Sequence, residues 1–183
     1  MKKIGIFFGT DSGTTRLIAK KIARNLKSRI GDDKVAKPIN VNRSGVEDLM
    51  SCSALILGTP TYGEGVLPGL ASRNSEASWL EFLPSLEGCD FSGKRVALFG
   101  LGDQEQYPEH FLSAMMDLYE SFSAAGAELV GSSPTEGFEF TSSRAVVEGR
   151  FIGLALDQHL QHLLTDERID TWLDEITPLL ESA

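Results

Sequence analysis

The stretch KIGIFFGTDSGTTRLIAK, residues 3–20, holds an apolar run, a loop of glycines and hydroxyls, and the start of a helical pattern, in that order. The run is dense enough to be a strand buried on both faces. Beyond the loop, Ile18, Ile22, Leu26 and Ile30 recur every fourth residue, with Arg24, Lys27 and Arg29 on other faces, as an amphipathic helix requires. A strand passing through a short loop into a helix is the first half of a strand–helix–strand unit.

The unit repeats outward along the chain. ALILG (54–58), RVALFG (95–100) and FIGLAL (151–156) are further buried strands, and VAKPINV (35–41) is a fifth whose Pro38 places it at a sheet edge. Pro108 can open a helix carrying Phe111, Leu112, Met115, Leu118 and Phe122 and stopping near Gly126. The last helix carries Ile169, Trp172, Leu173, Ile176 and Leu180, with TDE supplying a capping hydroxyl and acids for its first turn. Alternation from end to end predicts an α/β fold: a doubly wound parallel sheet with helices on both faces, one domain over residues 1–183. SSPTEGFEFTSSRAVVEGR (132–150) separates AELVG from FIGLAL and reads as an insertion within the final strand.

Composition narrows the function classes. The net charge of −9 divides unevenly: residues 1–60 hold 11 basic against 5 acidic groups, the remainder 6 against 21. The acidic part repels nucleic acid and anionic membranes and attracts basic protein surfaces. No long apolar run or secretory leader is evident, so a cytoplasmic location is expected. Cys52 and Cys89 lie far apart, which argues against a disulfide scaffold, a cluster or a zinc site. His159 and His162 lack a third ligand, so no metal is expected.

In an open α/β sheet, ligands bind beyond the carboxyl ends of the strands. Three loops leave those ends. GTDSGTT (9–15) offers backbone N–H groups, four hydroxyls and a helix N-terminus, which together cradle a phosphate. It has no P-loop lysine, so a monophosphate ester fits better than a triphosphate. TPTYGEGVLPG (59–69) and GLGDQEQYP (100–108) each present one tyrosine amid glycine, and two such aromatics can sandwich a flat ring. A phosphate with a flat ring points to flavin mononucleotide, FMN.

With those loops in place, the chain resembles the flavodoxin family, and within it the long-chain members, closest to those that donate electrons to nitrogenase. FFGTDSGTTRLIAK, LILGTPTYGEGVLPG and ALFGLGDQEQYPEHF resemble the three flavin loops, and PTEGFEF, AVVEGRFIGLALD and TDERIDTWL the long-chain insertion and C-terminal helix. The resemblance implies a five-stranded sheet of order 2-1-3-4-5. It implies that Thr10, Asp11, Ser12, Gly13, Thr14 and Thr15 hold the phosphate, that Pro60, Thr61, Tyr62 and Gly63 line one side of the ring, and that Leu101, Gly102, Asp103 and Tyr107 line the other, with His110 nearby. Tyr62 stands where many relatives carry tryptophan, and His110 where asparagine is expected.

The implied function is a low-potential one-electron carrier, shuttling between semiquinone and hydroquinone and working as a monomer. The implied partners are basic-faced redox proteins: flavodoxin/ferredoxin-NADP reductase, pyruvate-flavodoxin oxidoreductase and the nitrogenase reductase component, in a setting of nitrogen fixation or iron limitation. The rival from another class is an FMN-dependent quinone or nitro reductase of the same fold. A phosphorelay receiver would need an acid pair after the first strand and an aspartate after the third, and ILGTPTYG holds no aspartate.

Overall fold

A computed structural model describes residues 2–10 and 12–183. The main sheet is built from β1 (Gly5–Phe8), β2 (Ile39–Asn40), β3 (Leu55–Pro60), β4 (Arg95–Leu101) and β5 (Glu128–Val130), hydrogen-bonded in the order β2-β1-β3-β4-β5. Every pairing is parallel. Successive side chains of a strand face opposite ways, and here both ways are apolar. Phe7, Leu55, Leu57, Val96 and Leu98 join one core, while Ile6, Phe8, Ile56, Ala97 and Phe99 join the other.

Helices cover both faces, as parallel strands require. On one side lie α1 (Thr14–Ile30) and α5 (Thr165–Glu181); α2 (Val46–Met50), α3 (Trp79–Phe82) and α4 (Met115–Ala124) contribute apolar residues to the other core. Ile18, Ile22 and Leu26 of α1 are fully buried, worth together about 5–9 kcal/mol as an upper estimate of transfer. The α1–α5 contact also brings the basic and acidic parts of the chain together. Lys21 meets Asp166 at 2.6 Å, Arg29 meets Asp170 and Asp174 at 3.3 and 3.0 Å, and Lys34 meets Glu181 at 2.8 Å. Part of the charge division seen in the sequence is therefore spent inside the molecule.

The final strand is split as expected. β5 pairs with Arg95–Ala97, and β9 (Leu154–Leu156) pairs with the other half of β4 at Phe99–Leu101. The intervening segment carries a small antiparallel sheet of order β6-β8-β7, made of β6 (Ser133–Pro134), β7 (Val146–Val147) and β8 (Arg150–Phe151). Phe138, Phe140 and Phe151 cluster with Phe111, ring centroids 5.3–5.8 Å apart, and pin the insertion to the body.

Three local expectations are corrected. Residues 108–114 are turns and α4 starts only at Met115. The Pro108 carbonyl, which a helix would use at Leu112, accepts instead from the N–H groups of Thr141 and Ser142, and Leu112 is left-handed at φ 58°. The strand at 35–41 contracts to Ile39–Asn40 with a separate bridge from Val35 to Ile4, because Pro38 cannot donate between them. In the last helix Asp166 and Glu167 occupy the first turn as expected, but no hydroxyl caps it; Thr165 accepts from Gln158 instead.

Candidate functional site

Strand register brings the three loops to one edge. Phe8 pairs with Gly58, Pro60 with Leu101, and Leu101 with Leu156, so the carboxyl ends of β1, β3, β4 and β9 lie side by side. Backbone bonds lock the loop bases together: Gly9 N–H to the Gly58 carbonyl at 3.0 Å, Thr61 N–H to Leu101 at 2.9 Å, Gly102 N–H to Leu156 at 3.1 Å. Trp79 buttresses this edge, its indole N–H donating to the Gly58 carbonyl at 2.9 Å.

The first loop ends at Gly13, whose φ of 90° favours glycine and whose missing Cβ would meet nothing within 4 Å. Thr10 Oγ1 accepts from Gly13 N–H at 3.0 Å, and the hydroxyls of Ser12 and Thr14 lie 3.3 Å apart. Among the described residues no side chain caps α1, and its first turn holds no acid. The N–H groups ahead of Leu17 thus have no intrahelical acceptor and stand at the positive end of a 17-residue helix, which suits an anion. Thr15 is buried beneath it. Asp11 lies outside the described residues.

In the second loop, Tyr62 and Val66 exchange N–H···O bonds at 3.0 and 2.9 Å, and Gly65 N–H donates back to Tyr62 at 3.0 Å. Gly63 and Gly65 take φ of 45° and 88° to make this turn. The main-chain groups of Gly63 and Glu64 find no partner among the described residues. Next to them, Thr61 Oγ1 is buried without a hydrogen bond to any described residue. Pro60 and Tyr62 are half-buried.

The third loop is tightened by Asp103, whose Oδ1 accepts from Glu105 and Gln106 N–H at 3.1 and 2.9 Å. Tyr107 N–H returns to the Asp103 carbonyl and His110 N–H to Tyr107. Tyr107 is 37% exposed. His110 packs on the second loop: its Cβ lies 3.5 Å from where a Cβ on Gly65 would stand. Thr10, Ser12–Thr15, Pro60–Gly63, Leu101–Asp103, Tyr107 and His110 thus all belong to adjoining loops at one sheet edge.

Other residues complete the frame and escaped sequence reasoning. Asp157, fully buried just after β9, accepts from Gln104 N–H and Nε2 with one oxygen and from His159 and Leu160 N–H with the other. Gln104 Oε1 in turn accepts from Glu139 N–H at 2.6 Å. Arg144 of the insertion forks onto Asp117 at 3.1 and 3.0 Å and reaches the Gly65 carbonyl at 3.3 Å. Asp117 raises the Arg144 guanidinium further above its already high ordinary value. These pairs span 27–79 residues, so no local spacing announces them.

Among the described residues, the groups without partners, the N–H donors at the start of α1, the Thr61 hydroxyl and the Gly63–Glu64 peptide, would suit a flat ring bearing a phosphate. A cavity of about 200 Å³ between the insertion and α5 is lined by Phe138, Arg168 and Trp172 and by none of these loop residues, and is too small for such a ligand. Among the described residues no three of His, Cys, Asp and Glu gather as a metal site, and no helix is long and apolar enough to cross a membrane.

Comparison with known proteins agrees with this geometry. The family model described as Flavodoxin matches residues 6–172. A flavodoxin of Klebsiella pneumoniae is 48% identical over 176 residues, covering 96% of this chain and 97% of its own. One from Synechocystis is 41% identical over 182 residues, with 100% of both chains covered. The crystal structure of Fusobacterium nucleatum flavodoxin bound to flavin mononucleotide superposes with a TM-score of 0.84 at 37% identity, covering 97% of this chain and 98% of that one.

Proposed function

This chain belongs to the flavodoxin family of FMN-binding electron carriers, which are not enzymes, and we propose that within it the protein is a long-chain, low-potential one-electron donor to redox enzymes such as nitrogenase. We read residues 1–183 as one domain working as a cytoplasmic monomer. The split of the final strand by an insertion with its own small sheet supports the long-chain assignment.

The observation that carries the function is the uncapped, acid-free start of α1 set beside two glycine-rich tyrosine loops whose bases are bonded together. The N–H groups of the α1 first turn, with the hydroxyls of Thr10, Ser12, Thr14 and Thr15, would hold the phosphate, and Asp11 is assigned to the same loop from sequence. Pro60, Thr61, Tyr62 and Gly63 would line one side of the isoalloxazine, with Leu101, Gly102, Asp103 and Tyr107 on the other and His110 behind the second loop. FMN, when bound, accepts and releases electrons one at a time.

The chain's own groups set how readily it does so. The Gly63–Glu64 peptide, without a partner among the described residues, can turn either its N–H or its carbonyl to the ring edge, and glycine accepts the dihedrals either way. Glu64 and Glu105 are exposed and Asp103 half-buried near the same edge. A carboxylate about 8 Å from added negative charge costs on the order of 2 kcal/mol at an effective dielectric of about 20, enough that a few of them make a strongly reducing couple. The acidic surface would dock basic partners with strong salt dependence.

The test is FMN titration of the apoprotein followed by anaerobic potentiometry. One FMN per chain and two separated one-electron midpoint potentials are expected; a single two-electron wave would favour the reductase reading. Electron delivery to purified nitrogenase reductase component then tests the partner assignment, and its failure with other acceptors still served would remove nitrogenase alone.

A further inference from the structure

We propose that Arg144, a residue of the insertion, is a positioning residue for the turn at 62–66 and thereby for the cofactor that turn faces. The proposal rests on the flavin-carrier reading above. Residues 139–144 run along the third loop and are fastened to it in sequence. Glu139 N–H meets Gln104 Oε1, Thr141 and Ser142 N–H meet the Pro108 carbonyl at 2.7 and 3.0 Å, Ser142 Oγ meets the Glu109 carbonyl at 2.6 Å, and Arg144 N–H meets Ser113 Oγ at 3.1 Å. At the end of this strap the Arg144 side chain turns to a different loop. Its Nη2 donates to the Gly65 carbonyl while Nη1 and Nη2 grip the two oxygens of Asp117 on α4.

Gly65 is where the second loop can least afford to move. It is buried, takes φ 88°, and a Cβ there would stand 2.9 Å from Ser113 Cβ. One peptide earlier lies the Gly63–Glu64 segment, whose main-chain groups have no partner among the described residues. The turn therefore has a clamped side, at Gly65, and a free side, toward the ligand. A clamp on one side lets the other reorient without the loop drifting away, which lowers the ordering cost of binding. Lysine cannot reproduce the clamp, since it lacks the planar fork that serves a carboxylate and a carbonyl at once. The Arg144–Asp117 pair is about half-exposed, so the ion pair itself adds little stability and its effect lies in geometry.

The experiment compares wild type with Arg144→Gln, Arg144→Lys and Asp117→Asn. FMN Kd is read by fluorescence titration of the apoprotein, the two midpoint potentials by potentiometry, amide exchange at Gly65 and Val66 in the apoprotein, and unfolding by urea. Arg144→Gln is expected to raise Kd about three- to tenfold, to speed exchange at Gly65 and Val66 selectively, and to shift the first midpoint potential more than the second. Asp117→Asn, which loosens the grip, should fall between it and wild type, and lysine should not rescue. Kd within twofold of wild type in all three variants, with exchange at 62–66 unchanged, overturns the proposal. So does a loss of urea stability with Kd and exchange unmoved, which is a structural role only. Should the wild type itself fail to bind FMN, the functional reading falls instead, and the exchange measurement still decides whether the clamp exists.

Discussion

Asp157→Asn isolates the node on which the third loop hangs. The wild-type carboxylate is fully buried and accepts four N–H groups: Gln104 N–H at 3.2 Å, Gln104 Nε2 at 2.8 Å, and His159 and Leu160 N–H at 2.9 Å each. Asparagine keeps the shape but turns one oxygen into a donor. Whichever way the amide is flipped, its NH₂ faces two N–H groups, either the Gln104 pair or the His159 and Leu160 pair. Two hydrogen bonds become donor–donor contacts and the other two lose their charge assistance. At about 1–3 kcal/mol for each buried group left unsatisfied, and with His159 and Leu160 near enough to the surface to recruit water, the net loss is about 2–4 kcal/mol. For a chain of this length that lowers Tm by roughly 4–16 °C, at about 2–4 °C per kcal/mol. Scanning calorimetry of the apoprotein reads the shift, and FMN titration should show weaker binding because Gln104 no longer anchors the loop holding Tyr107. A Tm change under about 2 °C would refute the reasoning, since it would mean that four hydrogen bonds to a buried carboxylate are replaceable at no cost.

Three further outcomes follow from other parts of the molecule. Gly58→Ala places a Cβ only 1.9 Å from Phe99 Cζ in adjacent central strands; the ring has to move within a packed core, so urea unfolding should show a loss of about 2–3 kcal/mol or more. Burial pushes the Cys52 thiol above its ordinary value near 9.0. A group raised in the folded state contributes stability that is fully present below the unfolded value and is lost as pH rises through the folded one. The stability of wild type relative to Cys52→Ala should therefore be level through neutral pH and shrink only in alkali above about 9. Iodoacetamide near pH 8 should modify the partly exposed Cys89 well before Cys52, read by mass spectrometry.

How much of this was legible in the sequence depends on the range of the interaction. KIGIFF, ALILG and RVALFG announce buried strands because both faces of a parallel strand must be apolar, and the four-residue spacing of Ile18, Ile22 and Leu26 announces a helix by the same logic of burial. GTDSGTT reveals an anion site because the first turn of any helix has N–H groups to spare, whatever the rest of the fold does. These are local consequences of chain chemistry, and they sufficed for the fold class, the three loops and the kind of ligand. Pro108 marks the limit: it carries a good helix-opening signal, yet its carbonyl is claimed by Thr141 and Ser142, more than thirty residues later. Asp157 with Gln104, Arg144 with Gly65, and the α1 cations with the α5 acids are likewise pairings between distant segments. The first two exist because the insertion and the segment after β9 return over the ligand edge, the third because α1 and α5 pack on the same face of the sheet. The sequence determined which segments become strands, helices and ligand loops, since burial and backbone hydrogen bonding act within a few residues. Tertiary structure alone decided what braces those loops, because such contacts depend on three-dimensional closure that no local spacing encodes.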